Sequence, residues 1–281
     1  MFEILKKIKL HRTATLIKVK APLVVKNAKP GQFVVLRVFD SSERIPLTIF
    51  DCDKKTGVLV LIFQVVGATT VALNALNEGD RICDILGPLG KPSELSGCSR
   101  ACVVGGGVGC ANIFSIAKGL KQNGAEVVVV VGFKNESLAV LKHDFEQEFM
   151  PNFFLTTDDG SCGEKGLVTD KLKNMFISGE TFDLVFVAGP LPMMKAVCEL
   201  TKKTKTKTIV SMNTIMIDGT GMCGSCRLKV GDDLKFACVD GPDFDGHLVD
   251  FDEAILRNKF YEKFEKKAFK SACNLFDNKK N

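Results

Sequence analysis

The sequence predicts a β-barrel plus α/β architecture: an antiparallel barrel, then an α/β domain on a parallel sheet, then a small cysteine-bearing segment. Three observations predict it. Residues 1–97 carry short apolar runs cut by turn residues. From residue 98, apolar strands alternate with helical patterns. After residue 208, three cysteines gather in a glycine-rich stretch. The expected units are 1–97, 98–208 and 209–250, with a helical tail over 251–281.

In the first unit, strands are expected near residues 13–19, 32–39, 58–66 and 80–85. Pro30-Gly31, Lys55-Thr-Gly57 and Glu78-Gly-Asp80 punctuate them. Short strands at regular spacing, with little helix, make a barrel. In the second unit, a strand over 101–104 runs into Gly105-Gly-Gly-Val-Gly109 and a helix to about 122. A valine-rich strand at 126–133, a helix over 137–149 and a strand at 152–155 follow. A helix at 168–175, a strand at 182–188 and a helix at 192–201 complete the alternation. Such alternation places helices on both faces of a parallel sheet.

Composition narrows the function. The 38 basic and 33 acidic residues leave a net charge of only +5, too balanced to argue for nucleic acid. No run of apolar residues reaches membrane-spanning length, and the N-terminus lacks a signal-peptide pattern. Eleven cysteines in such a chain point to free thiols in a reducing, cytoplasmic setting. The outlying ones, from Cys52 to Cys273, read mostly as small buried hydrophobes. Lysine runs at 202–207 and 259–270 read as solvated surface, the second with aromatic residues at helical spacing.

The chemistry concentrates in Asp218-Gly-Thr-Gly-Met-Cys223-Gly-Ser-Cys226 and the later Cys238. Thiolates at this spacing bind an iron–sulfur cluster or zinc. Asp218, five residues before Cys223, stands where a fourth ligand belongs. Gly105, Gly106, Gly107, Val108 and Gly109 form a strand-to-helix loop that can admit a pyrophosphate. Asp158, Asp159 and Gly160 can meet a ribose diol, and their charge favours NAD(H) over NADP(H). Gly189, Pro190 and Met193 can offer flat backbone to a nicotinamide. In the barrel, Arg44, Pro46, Leu47 and Thr48, with Gly67, Thr69 and Thr70, suit a flavin and its phosphates. Each loop by itself also reads as an ordinary turn.

Together these residues resemble the ferredoxin reductase-like flavoproteins with a C-terminal 2Fe-2S domain. The resemblance covers nearly all of residues 1–257. Two branches are close: electron-transfer subunits of dihydroorotate dehydrogenase B, and small subunits of electron-bifurcating ferredoxin:NADP⁺ oxidoreductases. The first branch opens its cluster motif with cysteine and the second with aspartate, so Asp218 favours the second. The chain departs from the family where Ile45 replaces a common arginine and Thr69 a common glycine.

The resemblance implies three cofactors. FAD lies on Pro46, Leu47 and Thr48, with Thr48 beside its reactive nitrogen. NAD(H) lies on the glycine and aspartate loops. A 2Fe-2S cluster lies on Asp218, Cys223, Cys226 and Cys238. It also implies a heterodimer, in which a larger flavin and 4Fe-4S subunit handles ferredoxin and NADP⁺. The alternatives are a dihydroorotate dehydrogenase partner, or a zinc-stapled interaction module without redox activity.

Overall fold

The computed structural model describes residues 1–277. Its first half holds β1 (Phe2–His11), β2 (Ala14–Lys20), α1 (Pro22–Asn27), β3 (Phe33–Arg37), β4 (Ile45–Asp53), β5 (Val58–Gln64), α2 (Ala68–Ala75), β6 (Arg81–Ile82) and β7 (Asp84–Leu89). The strands pair antiparallel in the order β6-β1-β2-β5-β4-β3-β7. The two edge strands, β6 and β7, are separated in the chain only by Cys83. Joining the edges through one residue curls the sheet into a nearly closed barrel.

Strands β2 and β5 explain why the apolar runs are continuous. Ile17, Val19, Leu59, Leu61 and Phe63 fill the barrel, while Ala14, Leu16, Val60 and Ile62 face the α/β domain. A strand buried on both faces loses its alternation. The expectation of little helix needs correcting. Pro22, whose fixed φ suits a first helical turn, opens α1, and Val24 and Val25 enter the barrel core. Helix α2 buries Ala72 and Leu73 there. At six and eight residues, both are too short to show a helical period.

The α/β domain holds β8 (Arg100–Gly106), α3 (Gly109–Gln122), β9 (Glu126–Phe133), α4 (Lys142–Phe149), β10 (Phe153–Thr157), β11 (Glu164–Lys165), α5 (Val168–Ile177), β12 (Leu184–Ala188), α6 (Leu191–Thr204) and β13 (Lys207–Ser211). The helix expected over 137–149 is broken: a 3-10 turn spans Glu136–Leu138, and Leu141, at φ 59°, starts α4 afresh. The cysteine-bearing segment adds β14 (Arg227–Val230), β15 (Asp233–Phe236) and β16 (Asp243–Asp245). The sheet order is β11-β10-β9-β8-β12-β13-β16, parallel except for the last pair. The boundary expected at 208 therefore falls inside β13, and β16 stitches the third unit to the second.

Barrel and sheet meet through aromatic rings. Phe50 stacks on Phe114 at 5.4 Å, Phe114 meets Phe145 edge-on at 5.0 Å, and Phe145 stacks on Phe153 at 5.4 Å. A second core joins barrel residues Phe33 and Val35 to Met216, Cys226 and Cys238. The chain ends in α7 (Phe251–Lys259) and α8 (Glu262–Asp277). Asp250 caps α7 by accepting the Glu253 N–H at 3.0 Å. Helix α8 lies against α2. Ala272 is buried there, but Phe260, Tyr261 and Phe264 remain exposed, so these aromatics do not dock on this chain.

Of the outlying cysteines, Cys102, Cys110 and Cys198 are buried, whereas Cys52, Cys83, Cys98 and Cys162 are only partly so. The Cys273 side chain and residues 278–281 lie outside the described residues. No described helix is long and apolar enough to cross a membrane.

Candidate cofactor cleft and cysteine loop

A cleft of about 1170 Å³ opens between the barrel and the carboxyl ends of the parallel strands. Carboxyl ends are where open α/β sheets place ligands. On the barrel side it is lined by Pro46, Leu47, Thr48 and Thr70. Thr48 lies inside β4, opposite Phe33 of β3. Arg44 is exposed in the turn before β4, away from the lining. Gly67 and Thr69 are not among the lining residues, and Thr69 is buried.

Thr70 has a structural duty. Its hydroxyl accepts the N–H groups of Val66 at 3.0 Å and Gly67 at 2.9 Å. That bonding shapes the turn into α2, whose first-turn N–H groups have no acceptor within the helix. An anion is favoured at such an end.

On the sheet side, Gly106, Gly107, Val108 and Gly109 line the cleft, as do Asp158, Gly189, Pro190 and Met193. Gly105, Asp159 and Gly160 do not. The glycine loop is set by close approach: a Cβ on Gly109 would stand 2.6 Å from the Ala188 carbonyl oxygen. The two adjacent aspartates divide their roles. Asp159 accepts the Ser161 N–H at 2.9 Å and its hydroxyl at 2.6 Å, which lowers its pKa. Asp158 is exposed and faces the cleft.

The lining also includes residues that the sequence did not single out. Asn112 and Ser211 lie on the sheet side, and Lys134 follows β9. The strand-end positions of Lys134 and Ser211 were a usable signal. His11 enters from the barrel, its pKa lowered by burial. Its Nδ1 accepts the Thr13 N–H at 3.1 Å. Lys259 and Glu262, from α7 and α8, reach the same cleft with no motif to announce them.

The cysteine loop lies outside this lining, but Met216 and Phe33 belong both to the lining and to the core holding Cys226 and Cys238. The Sγ atoms of Cys226 and Cys238 are 3.2 Å apart. Burial, and then Cys226, push the Cys238 thiol up to about 12. Cys223 is exposed, and hydrogen bonding from Ser225 lowers its pKa. Asp218 accepts the N–H of Thr220 at 2.7 Å and of Cys223 at 2.8 Å, and these bonds hold its carboxyl below the ordinary range. Its side chain also bears on the Cys223 thiol.

The four candidate ligands thus form two pairs, Asp218 with Cys223 and Cys226 with Cys238. Among the described residues, no three His, Cys, Asp or Glu side chains converge as a single-ion site. A 2Fe-2S cluster presents two irons, each taking two protein ligands, so this donor set fits it. Gly219, Gly221 and Gly224, at φ of 76°, 87° and 68°, let the loop fold around the pairs.

Comparison with known proteins agrees with both halves. Residues 103–199 match the oxidoreductase NAD-binding domain family. Residues 213–250 match the iron–sulfur cluster binding domain of dihydroorotate dehydrogenase B. A Thermotoga maritima protein described as a dihydroorotate dehydrogenase B (NAD(+)) electron transfer subunit homolog is 42% identical over 264 residues, 94% of this chain and 93% of that protein. The Fusobacterium nucleatum electron transfer subunit is 30% identical over 235 residues, 80% of this chain and 88% of that one. A solved structure of an NADH-dependent reduced ferredoxin-NADP oxidoreductase superposes with a TM-score of 0.91 at 40% identity, covering 96% of this chain and 97% of that one. The chain has the ferredoxin reductase-like fold and is an NAD-binding, iron–sulfur-binding oxidoreductase subunit. It belongs to the family of electron-transfer subunits that includes those of dihydroorotate dehydrogenase B and the NADH-dependent reduced ferredoxin-NADP oxidoreductase.

Proposed function

We propose that this chain exchanges electrons with NAD(H) through FAD held in the cleft, and passes them through a 2Fe-2S cluster to a larger partner subunit that carries out ferredoxin- and NADP⁺-linked bifurcation. One observation supports it above the others. Flavin-type and nucleotide-type walls face each other across one cleft, and Phe33 and Met216 join that cleft to the Cys226–Cys238 core. FAD supplies hydride acceptance and one-electron release, and the cluster holds single electrons.

The chain's residues supply position and polarity. Thr48 offers a hydroxyl to the flavin ring edge from a rigid strand. The first turn of α2 faces the flavin phosphates. The Gly106–Gly109 loop receives the dinucleotide pyrophosphate, and Asp158 takes the ribose diol. Asp159 keeps the turn in shape. Pro190 and Met193 close the nicotinamide end and exclude water. Asp218, Cys223, Cys226 and Cys238 would hold the cluster, as two side-chain pairs already close together in the fold.

Asp218 favours the bifurcating partner over the dihydroorotate dehydrogenase partner through the resemblance, in which an aspartate opens the cluster motif of the bifurcating branch, although relatives of the second kind match most of the chain. The test is to purify the chain with and without its copurifying partner. Alone, it should reduce a one-electron dye with NADH and leave NADP⁺ untouched with ferredoxin. Ferredoxin-linked NADP⁺ reduction by the single chain would overturn the division of labour. Orotate-dependent NADH turnover by the copurified complex would move the chain to the other branch.

A further inference from the structure

A dinucleotide brings a pyrophosphate with two negative charges to the glycine loop, and that loop has few amides left to meet them. Gly107 donates its N–H to the Gly132 carbonyl at 3.0 Å, Cys110 to Gly107 at 3.2 Å and Ala111 to Val108 at 3.0 Å. A charged side chain at the same place makes up the difference with a stronger, charge-assisted bond. The lining side chains able to hold a positive charge are His11, Lys134 and Lys259. His11 is held neutral, because its Nδ1 accepts the Thr13 N–H and burial lowers its pKa. Lys259 ends α7, and Asn258 beside it donates to the Asn213 carbonyl, just past β13, at 3.4 Å. Lys259 therefore belongs to the β13 end of the cleft, away from Asp158.

Lys134 is the cation at the Asp158 end. It follows β9, which lies between β8 and β10 in the sheet. Backbone hydrogen bonds tie the three strand ends together: Gly107 donates to the Gly132 carbonyl, and Asp158 donates to the Phe133 carbonyl at 3.1 Å. Lys134 thus comes directly after the residue that holds Asp158 and two residues after the one that holds Gly107. Neighbouring strands are about 5 Å apart, so both loops are within one strand spacing of its backbone.

The position of Lys134 selects what it meets. A dinucleotide with its adenosine ribose at Asp158 and its pyrophosphate on Gly106–Gly109 passes over the end of β9. The group between those two points is the 5′-phosphate on the adenosine side, whereas the ribose 2′ position stays with Asp158. Lys134 is exposed and lines the cleft, so a ligand there can reach it. Other lysines of this domain are already engaged: Lys142 lies 3.9 Å from Glu146, and Lys171 lies 2.5 Å from Glu164. Lys134 makes no such ion pair among the described residues.

We propose that Lys134 is a binding residue whose ammonium holds the adenosine-side phosphate of the dinucleotide, so that Lys134 sets affinity while Asp158 sets the choice between NAD(H) and NADP(H). This rests on the NAD(H) reading above. The two side chains address opposite sides of one ribose: Asp158 accepts from the diol, and Lys134 donates to the 5′-phosphate. NAD(H) and NADP(H) share that phosphate, so Lys134 strengthens the binding of both alike.

The test is equilibrium binding of NAD⁺, NADP⁺, ADP-ribose and adenosine to the full chain with its cofactors. Lys134→Met keeps the length of the side chain and removes its charge. It should weaken NAD⁺, NADP⁺ and ADP-ribose by the same factor, about tenfold, at the low end of a hydrogen bond to a charged group because the site is exposed. Adenosine, which has no phosphate, should bind as it does to wild type. Lys134→Arg should recover most of the lost affinity. Added salt should weaken NAD⁺ binding less steeply in Lys134→Met than in wild type. Flavin content equal to wild type certifies each variant as folded. Wild-type NAD⁺ affinity in Lys134→Met would overturn the proposal. So would a loss confined to NADP⁺, which would put Lys134 at the 2′-phosphate, or an equal loss of adenosine, which would make it a prop for the loop. Failure of wild type to bind NAD⁺ or ADP-ribose at all would instead overturn the NAD(H) reading.

Discussion

The Sγ atoms of Cys226 and Cys238 stand 3.2 Å apart, although eleven residues separate them in the chain. The β14–β15 hairpin brings them together by pairing Arg227, next to Cys226, with Phe236, two residues before Cys238. Both thiols are buried, whereas Cys223 is exposed with a lowered pKa. In cluster-free protein, a thiol reagent should therefore modify Cys223 first. Cys226 and Cys238 should react only after denaturant is added. Mass-spectrometric mapping of the labelled sites checks the order; early labelling of Cys238 contradicts this geometry.

Asp218 is held by two backbone N–H groups beside Cys223. Replacing it with cysteine puts a softer donor at the same place. Asp218→Cys should keep the cluster but change its visible spectrum and midpoint potential. Asp218→Ala should lose most of the bound iron. An unaltered spectrum and potential in Asp218→Cys would remove Asp218 from the ligand set.

Asp158 and Asp159 are neighbours with different work. Removing Asp158 should relieve its repulsion of a ribose 2′-phosphate, by about 1–2 kcal/mol. The ratio of kcat/KM for NADH over NADPH should fall roughly tenfold in Asp158→Ala. Asp159→Ala should leave that ratio near wild type, because its carboxylate is spent on Ser161. Equal changes in both variants would argue that the whole turn, not one carboxylate, sets the preference.

Phe145 is fully buried between Phe114 and Phe153. Phe145→Ala should cost about 3–5 kcal/mol, measured by denaturant unfolding. Gly109→Ala is a sharper steric test, since the new methyl meets a backbone oxygen at 2.6 Å. It should cost about 1–3 kcal/mol and weaken dinucleotide binding as the α3 start shifts. Wild-type dinucleotide affinity in that variant would show that the loop tolerates a wider approach.

The α/β half was the more legible part. The valine run at Glu126–Phe133 and the α3 end at Gln122 follow from long apolar periods and a glycine loop. Strand β1 (Phe2–His11) shows no clean alternation because Lys6 and Lys7 are adjacent, and α1 and α2 are too short to show a helical period. At the site, local motifs such as Asp218–Cys226 were visible because their residues are close in sequence. The Asn112–Ser211 hydrogen bond in the cleft wall was not, because its partners are 99 residues apart in the chain. Arg44, the right type of residue one position out from the motif, is exposed and does not line the cleft.

The most direct test of the account is one anaerobic sample of the purified chain. Its visible spectrum is recorded before and after NADH, with iron, acid-labile sulfide and flavin assayed together. The account predicts flavin bands over a broad iron–sulfur absorbance, iron equal to sulfide, and bleaching of both chromophores by NADH. A colourless protein that holds zinc and no flavin after anaerobic reconstitution would contradict it.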